Sequence, residues 1–438
     1  MKIFSSLEDL YLSLGTNSEI NPQTSVIKAN IFDLAATYVF SDNDVAKSKA
    51  KELINTVASD LSIFPASIYD LYSKIGRGEI VQNFTVPAIN IRTLTFDTSA
   101  IIFKLMQKNA IGPVIFEIAK SEMGYTKQRP DEYTTVVLAG AISSGYSGPV
   151  FIQGDHFQLN AEKFKEDAGS EVKNIENLIA ESIAARFLQI DIDASTLVDL
   201  SHDSLSRQQQ DNFKTTAHLT SVVRKYQPSG ITIAIGGEIG HIGGKNSTPE
   251  EFEAFMQGYS KLISSHGISK VSVQTGSSHG GVPLSDGTIK KVAIDFSVLS
   301  QIGKLARDKY QLAGAVQHGA STLPLDLFTE FPKNNTAEVH LATGFQNTVY
   351  DHLPKKLVEE MYTWVEQTLG NEHSPDQTRE QFIYKSRKKA FGPFKKHLWE
   401  LSAEEKQPIL NALTGQFSEI FTKLNLSNTK KLIADYVR

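Results

Sequence analysis

The chain has 438 residues, 40% of them apolar and 21% charged, with a formal net charge of −5. That balance belongs to a globular protein with a large core, and so mild an acidity gives no reason to expect nucleic acid or an anionic membrane as partner. There is no cysteine, so disulfides and thiolate metal sites are excluded and any metal must be held by His, Asp or Glu.

Residues 1–80 read as a helical extension. LEDLYLSLG, NIFDLAATYVF, DNDVAKSKAKELINTVASDL and ASIYDLYSKIG carry apolar residues at three- and four-residue spacing. The opening MKIFSSLEDLYLSLG has too short an apolar run, and too early an acidic pair, for a secretory signal. No apolar run reaches the length of a membrane span, so a cytoplasmic protein is expected.

From about residue 84 short apolar strands alternate with amphipathic helices. The expected strands are 84–91, 112–119, 148–156 and 187–195, followed by 231–239, 270–279, 312–320 and 337–344. Eight strands in this rhythm predict an α/β fold, a closed (β/α)8 barrel over residues 81–355. An open doubly wound sheet would more often place a Gly-rich dinucleotide fingerprint after its first strand, and none follows FTVPAINI. Residues 356–438 return to helix and include a basic segment, YKSRKKAFGPFKKHLW.

In such a barrel the chemistry sits at the C-terminal ends of the strands. Of eleven histidines, His156, His279, His318 and His340 fall at or just past the ends of the third, sixth, seventh and eighth strands. The first three have small neighbours, and three neutral imidazoles with an open position make a catalytic zinc site. The alternative at each is a hydrogen-bonded core histidine. Asp155, next to His156, is read as a proton-handling carboxylate or as the partner of a ligand histidine. Glu238 lies in GGEIGHIGG after the fifth strand, on a glycine-flanked loop able to close over substrate, and is an alternative metal ligand or a plain loop acid. Gly-Ser turns after the late strands suit phosphate, with Ser321 and Thr343 as hydroxyl donors.

The ordered series NFTVPAINI, GPVIFEIA, QGDH, IDIDAST, GGEIGHIGG, GSSHGG and QHGAST resembles class II fructose-bisphosphate and tagatose-bisphosphate aldolases over residues 84–350. The resemblance implies a catalytic Zn2+ on His156, His279 and His318, with Glu238 as alternate or additional ligand. It implies Asp155 as the catalytic aspartate and Asn90 near the substrate. Asp193 and Ser195 match a motif at the fourth strand, and Gly280, Gly319, Ser321 and Thr343 match positions around the substrate's phosphate. The implied reaction is reversible retro-aldol cleavage of a phosphorylated ketose to dihydroxyacetone phosphate and an aldehyde, with zinc polarising the ketone. A homo-oligomer, dimer or tetramer, is implied as well.

The sequence departs from the family where acidic residues usually follow the mobile loop's glycines. Lys245 and Asn246 stand there, leaving His241 as the substitute for proton transfer. His340 stands where an asparagine is usual; either it replaces that asparagine at the phosphate or the ketone-end group of the substrate differs. The basic segment Lys385-Ser386-Arg387-Lys388-Lys389, with Lys395-Lys396, is a candidate for binding a distal anion, and Arg387 is the candidate for the arginine that, in the family, a neighbouring subunit extends to the far phosphate; the alternative is a solvated basic helix face. A second reading of the whole chain is a non-catalytic barrel subunit that stabilises a separate tagatose-bisphosphate aldolase. A third, a zinc hydrolase on the same barrel, would more often carry an HxH pair on the first strand, and FTVPAINI has none.

Overall fold

A computed structural model of the chain describes residues 1–17, 22–240, 245–276 and 294–437. The described residues form nine strands, all parallel: β1 (Ile63–Pro65), β2 (Val86–Asn90), β3 (Ile115–Ala119), β4 (Gly148–Gln158), β5 (Gln189–Asp193), β6 (Ala234–Glu238), β7 (Lys270–Val273), β8 (Ala315–Gln317) and β9 (Glu338–Leu341). Strands β2 to β9 pair in sequence and β9 closes back on β2, which gives the expected eight-stranded barrel. Every residue of β2, β3 and β5 is buried, and the polar members of β3 and β5, such as Glu117 and Asp191, are buried with the apolar ones.

The ninth strand was not legible in the sequence. β1 has three residues and pairs only with the entry of β4, Ile63 opposite Gly148, on the barrel's outer rim. The expected strands also ran too long near the seventh. The helix Phe296–Tyr310 ends in a left-handed Gln311, Gly314 enters the sheet at φ 136°, and only Ala315–Gln317 keep the ladder.

Helix caps follow ordinary chemistry. Thr248 and Glu251 form a reciprocal capping box on Pro249–Ser260. Pro130 opens the helix Pro130–Ser144, and the left-handed Gly145 ends it. That helix lies close against Thr95–Lys108, because a Cβ on Gly140 would meet Ser99 Oγ at 2.0 Å.

The two extensions fasten the barrel from both ends. The helix Tyr69–Gly76 buries Tyr72, whose hydroxyl bonds the buried carboxylate of Glu338 inside the barrel. Trp399 of the C-terminal region stacks on Phe32 of the N-terminal helices, with ring centroids 5.5 Å apart. The long helix Ala403–Lys423 buries Ile409, Leu413, Phe417 and Ile420 on one face, at the spacing of an amphipathic helix. No described helix is long and apolar enough to cross a membrane.

The barrel interior is not filled by aliphatic layers alone. Lys270, at the start of β7, is buried with its ammonium 3.0 Å from Asp191 Oδ2 and 2.8 Å from Gln153 Oε1, and it pairs with Glu338. Gln153 Nε2 donates to Glu338 Oε1 and Glu117 Oε2, each at 3.1 Å. This polar layer forms the floor beneath the site.

Candidate active site

β4 delivers two neighbouring residues to the barrel mouth. Adjacent side chains of a regular strand point to opposite faces. Here the register with β5 shifts between Gly154 and Phe157, and His156 takes a left-handed conformation at φ 41°. The bulge turns both Asp155 and His156 into one cavity, at a conformational cost of roughly 1–2 kcal/mol. Gly154 permits it: a Cβ there would lie 2.4 Å from the ring of Phe157.

His156 Nδ1 lies 3.0 Å from Asp193 Oδ2 and 3.4 Å from Glu238 Oε2. Asp193 closes β5, and its other oxygen accepts from the Ser195 hydroxyl at 2.7 Å and the Ser195 amide at 3.1 Å. Asp193 and Ser195 are therefore behind His156, fixing its ring, and are not part of the cavity lining. Glu238 ends β6, where Asn212 Nδ2 donates to its carbonyl at 2.9 Å. His318 follows β8 with Nε2 3.1 Å from Ser272 Oγ, and its ring meets His156 edge-on at 4.4 Å. Ligand atoms of His156, Glu238 and His318 all fall within 4.8 Å of one another. Residues from β4, β6 and β8, far apart in sequence, thus form one donor set that can hold a metal ion.

The electrostatics fit a cation there. Burial opposes charge on His156, yet Asp155, Glu238 and Asp193 hold its imidazole well above the usual range. Burial, then the charge of Asp193, pushes the Glu238 carboxyl up to about 7. Asp193 is held low despite its burial, through the hydrogen bond from His156. Three carboxylates crowd one imidazole, an arrangement that a divalent ion relieves and that suits its binding. Two imidazoles and a carboxylate, with no thiolate, are the donors of a borderline ion such as zinc.

His340, on β9, lines the same cavity as Ser321 and Thr343. Its ring lies 4.1 Å from that of His318, Nδ1 is 3.0 Å from Glu117 Oε2 and 3.2 Å from Asp155 Oδ1, and Nε2 is 2.7 Å from Glu338 Oε1. It therefore links Asp155 to the buried polar floor. Burial, then the charge of Asp155, raises the Glu117 carboxyl to about 7.

The cavity holds 340 Å³, and Asn90, Asp155, His156, His318 and His340 line its inner part. Asn90 ends β2 and donates to Glu122. On one wall Gly319, at φ 71°, precedes Ser321, whose hydroxyl accepts from the Gly344 amide at 3.1 Å. Thr343 opens the helix Thr343–His352, so this wall presents a helix N-terminus to the cavity. His241, His279 and Gly280 lie outside the described residues. Lys245 is paired with Glu251 at 2.8 Å.

Arg387 does not line the cavity. Its guanidinium lies over the rings of Tyr350 and Tyr384 and donates to Asn347 Oδ1 at 2.8 Å and to Tyr362 Oη at 3.1 Å. Its neighbours Tyr384, Lys385 and Lys388 reach the cavity instead. Arg92, two residues beyond the end of β2, lines the cavity too and is not among the residues expected from the sequence. Its Nε is 2.8 Å from Glu122 Oε1, and Nη1 donates to Gln346 Oε1 at 2.6 Å.

Among solved structures, the chain is similar to a fructose-bisphosphate aldolase from Campylobacter jejuni, at 17% identity and a TM-score of 0.51, over 84% of this chain and 96% of that one. It is also similar to a probable tagatose 6 phosphate kinase from Sinorhizobium meliloti, at 15% identity and a TM-score of 0.54, over 80% and 90%. A putative fructose-1,6-bisphosphate aldolase from Coccidioides immitis aligns at 17% identity and a TM-score of 0.47, over 82% and 97%. At these identities the first two likenesses speak to the fold alone. No curated protein matches the chain in sequence. The family profile of class-II fructose-bisphosphate aldolases matches residues 80–403, which span the barrel and the C-terminal region up to the start of its long helix, and the chain belongs to that family.

Proposed function

We propose that this protein is a zinc-dependent class II aldolase that reversibly cleaves a ketose phosphate to dihydroxyacetone phosphate and an aldehyde. The observation that carries this reading is the convergence of His156, Glu238 and His318 beside the buried Asp155 at the barrel mouth. His279, taken from the family resemblance, completes the ligand set. Bound zinc supplies Lewis acidity at the substrate's ketone.

The chain's own residues do the rest. Asp155 accepts the proton of the C4 hydroxyl as the C3–C4 bond breaks, so that C4 becomes the aldehyde and the electron pair stays with the ketone half. His241 returns a proton to C3. His340, against Asp155, holds that carboxylate in place. Asn90 orients the substrate, and Gly319, Ser321 and Thr343 receive its phosphate on the wall that includes the helix N-terminus, with Gly280 assigned to the same task from the family resemblance alone. Asp193 and Ser195 fix the ring of His156.

The test is release of dihydroxyacetone phosphate from a panel of ketose phosphates, with and without a chelator. Cleavage that disappears on chelation and returns with zinc is expected. Stoichiometric zinc with no cleavage of any member would reject the aldolase reading in favour of a non-catalytic barrel subunit.

A further inference from the structure

The basic segment of the C-terminal region does two different things. The helix Arg379–Ser386 runs into a 3-10 turn, Arg387–Phe391. Arg387 fastens this turn: besides its aromatic and amide contacts, its carbonyl accepts from Tyr350 Oη at 2.6 Å. Lys385 and Lys388, on the other side, reach the cavity that contains Asp155 and His156.

Lys388 differs from its neighbours. Lys389 pairs with Glu372 at 2.6 Å, Lys406 with Asp97 at 3.1 Å, and Lys395 with Glu132. Lys388 is half-buried, and among the described residues its ammonium makes no hydrogen bond or ion pair; the ring of Tyr125 lies 5.8 Å away. Arg92 lines the same cavity, and its carboxylate partner, Glu122, is shared with Asn90. Burial, and then the charge of Arg92, lowers the Lys388 ammonium from its ordinary range. A cation drawn out of water beside another cation is unfavourable unless an anion joins them. Lys389, Lys395 and Lys406 are each paired with a carboxylate of the protein; the acid that acts on Lys388 from a distance, Glu122, is already paired with Arg92, and Lys388 faces the cavity.

We propose that Lys388, flanked by Arg92 and Lys385, receives a phosphate group of the substrate, so that the chain's own C-terminal region supplies the cations at the cavity's outer wall. This rests on the reading of the substrate as a phosphorylated ketose. The family resemblance gave that task to an arginine of a neighbouring subunit; here it is performed within one chain.

Calorimetric titration of the zinc-loaded protein with inorganic phosphate tests this independently of turnover. Lys388→Met keeps the apolar stem and removes the charge, and phosphate binding should weaken about tenfold or more. Lys388→Arg should restore binding to within about threefold, since the charge returns. With ketose phosphates, Lys388→Met should raise KM more than it lowers kcat. Should the Met variant fail to fold, Lys388→Gln replaces it in the same titration. Wild-type phosphate affinity in the charge-neutral variant, or no phosphate binding by the wild type, would overturn the proposal. Weakened phosphate binding with no cleavage of any ketose phosphate by the wild type would sink the aldolase reading and leave this subsite standing.

Discussion

Around Lys270, the buried carboxylates of Glu338 and Asp191 share an ammonium that the chain itself supplies. One layer nearer the mouth, Asp155, Glu238 and Asp193 crowd around the imidazole of His156. The lower layer is buried and the upper one largely so, with only His156 and Asp155 of its four groups meeting the cavity, so both need positive charge. The lower layer has a covalently tethered cation whose position the fold dictates. The upper layer has imidazoles at ligand spacing, and under the proposed function its balance is left to an exchangeable ion. The difference separates what holds the barrel together from what makes it reactive, and substitutions in the two layers should fail in different ways.

The largest effect belongs to the upper layer. His156→Ala should abolish both zinc retention and aldol cleavage while leaving the far-ultraviolet circular dichroism unchanged, and full activity in that variant would remove the assignment. Next, Asp155→Asn should lower kcat roughly a hundred- to ten-thousandfold with zinc still bound; loss of zinc along with kcat would make Asp155 a ligand instead. In the lower layer, Lys270→Met leaves two carboxylates without their cation and should cost about 3–5 kcal/mol of stability, read as a lowered urea midpoint. An unchanged midpoint would mean that the ion pair does not hold the barrel. The smallest effect sharpens the boundary between the layers. Asp193→Asn, behind His156, should weaken zinc binding about 10–100-fold while the zinc-loaded enzyme keeps most of its kcat.

The legible parts of this molecule share one property: they repeat a local pattern. Strands β2 to β9 are short segments of apolar residues, some alternating with polar ones as in QIDID, closed by small or polar residues, and the rule that barrel chemistry lies at strand ends picks out Asp155, His156, Glu238 and His318. β1 is three residues long and depends on Gly148 across the rim, so no local pattern announces it. His340 is a strand-end histidine as expected, but the charges around it decide its role, and those come from β3, β4 and β5. Lys270 and Glu338 open apolar strands as charged residues, a visible hint of an interior ion pair whose partners only the barrel brings together. Arg387 and Lys388 are adjacent in one basic run, and the 3-10 turn that begins at Arg387 changes the helical phase between them. Sequence spacing alone cannot tell which of the two faces the cavity.

The most direct measurement is the zinc content of the dialysed protein by atomic emission, for the wild type and for a His156→Ala/His318→Ala double variant. The account predicts about one ion per chain in the wild type and well below that in the double variant, because two of the converging donors are gone. A folded double variant that still carries a full equivalent of zinc would place the ion elsewhere and contradict the account.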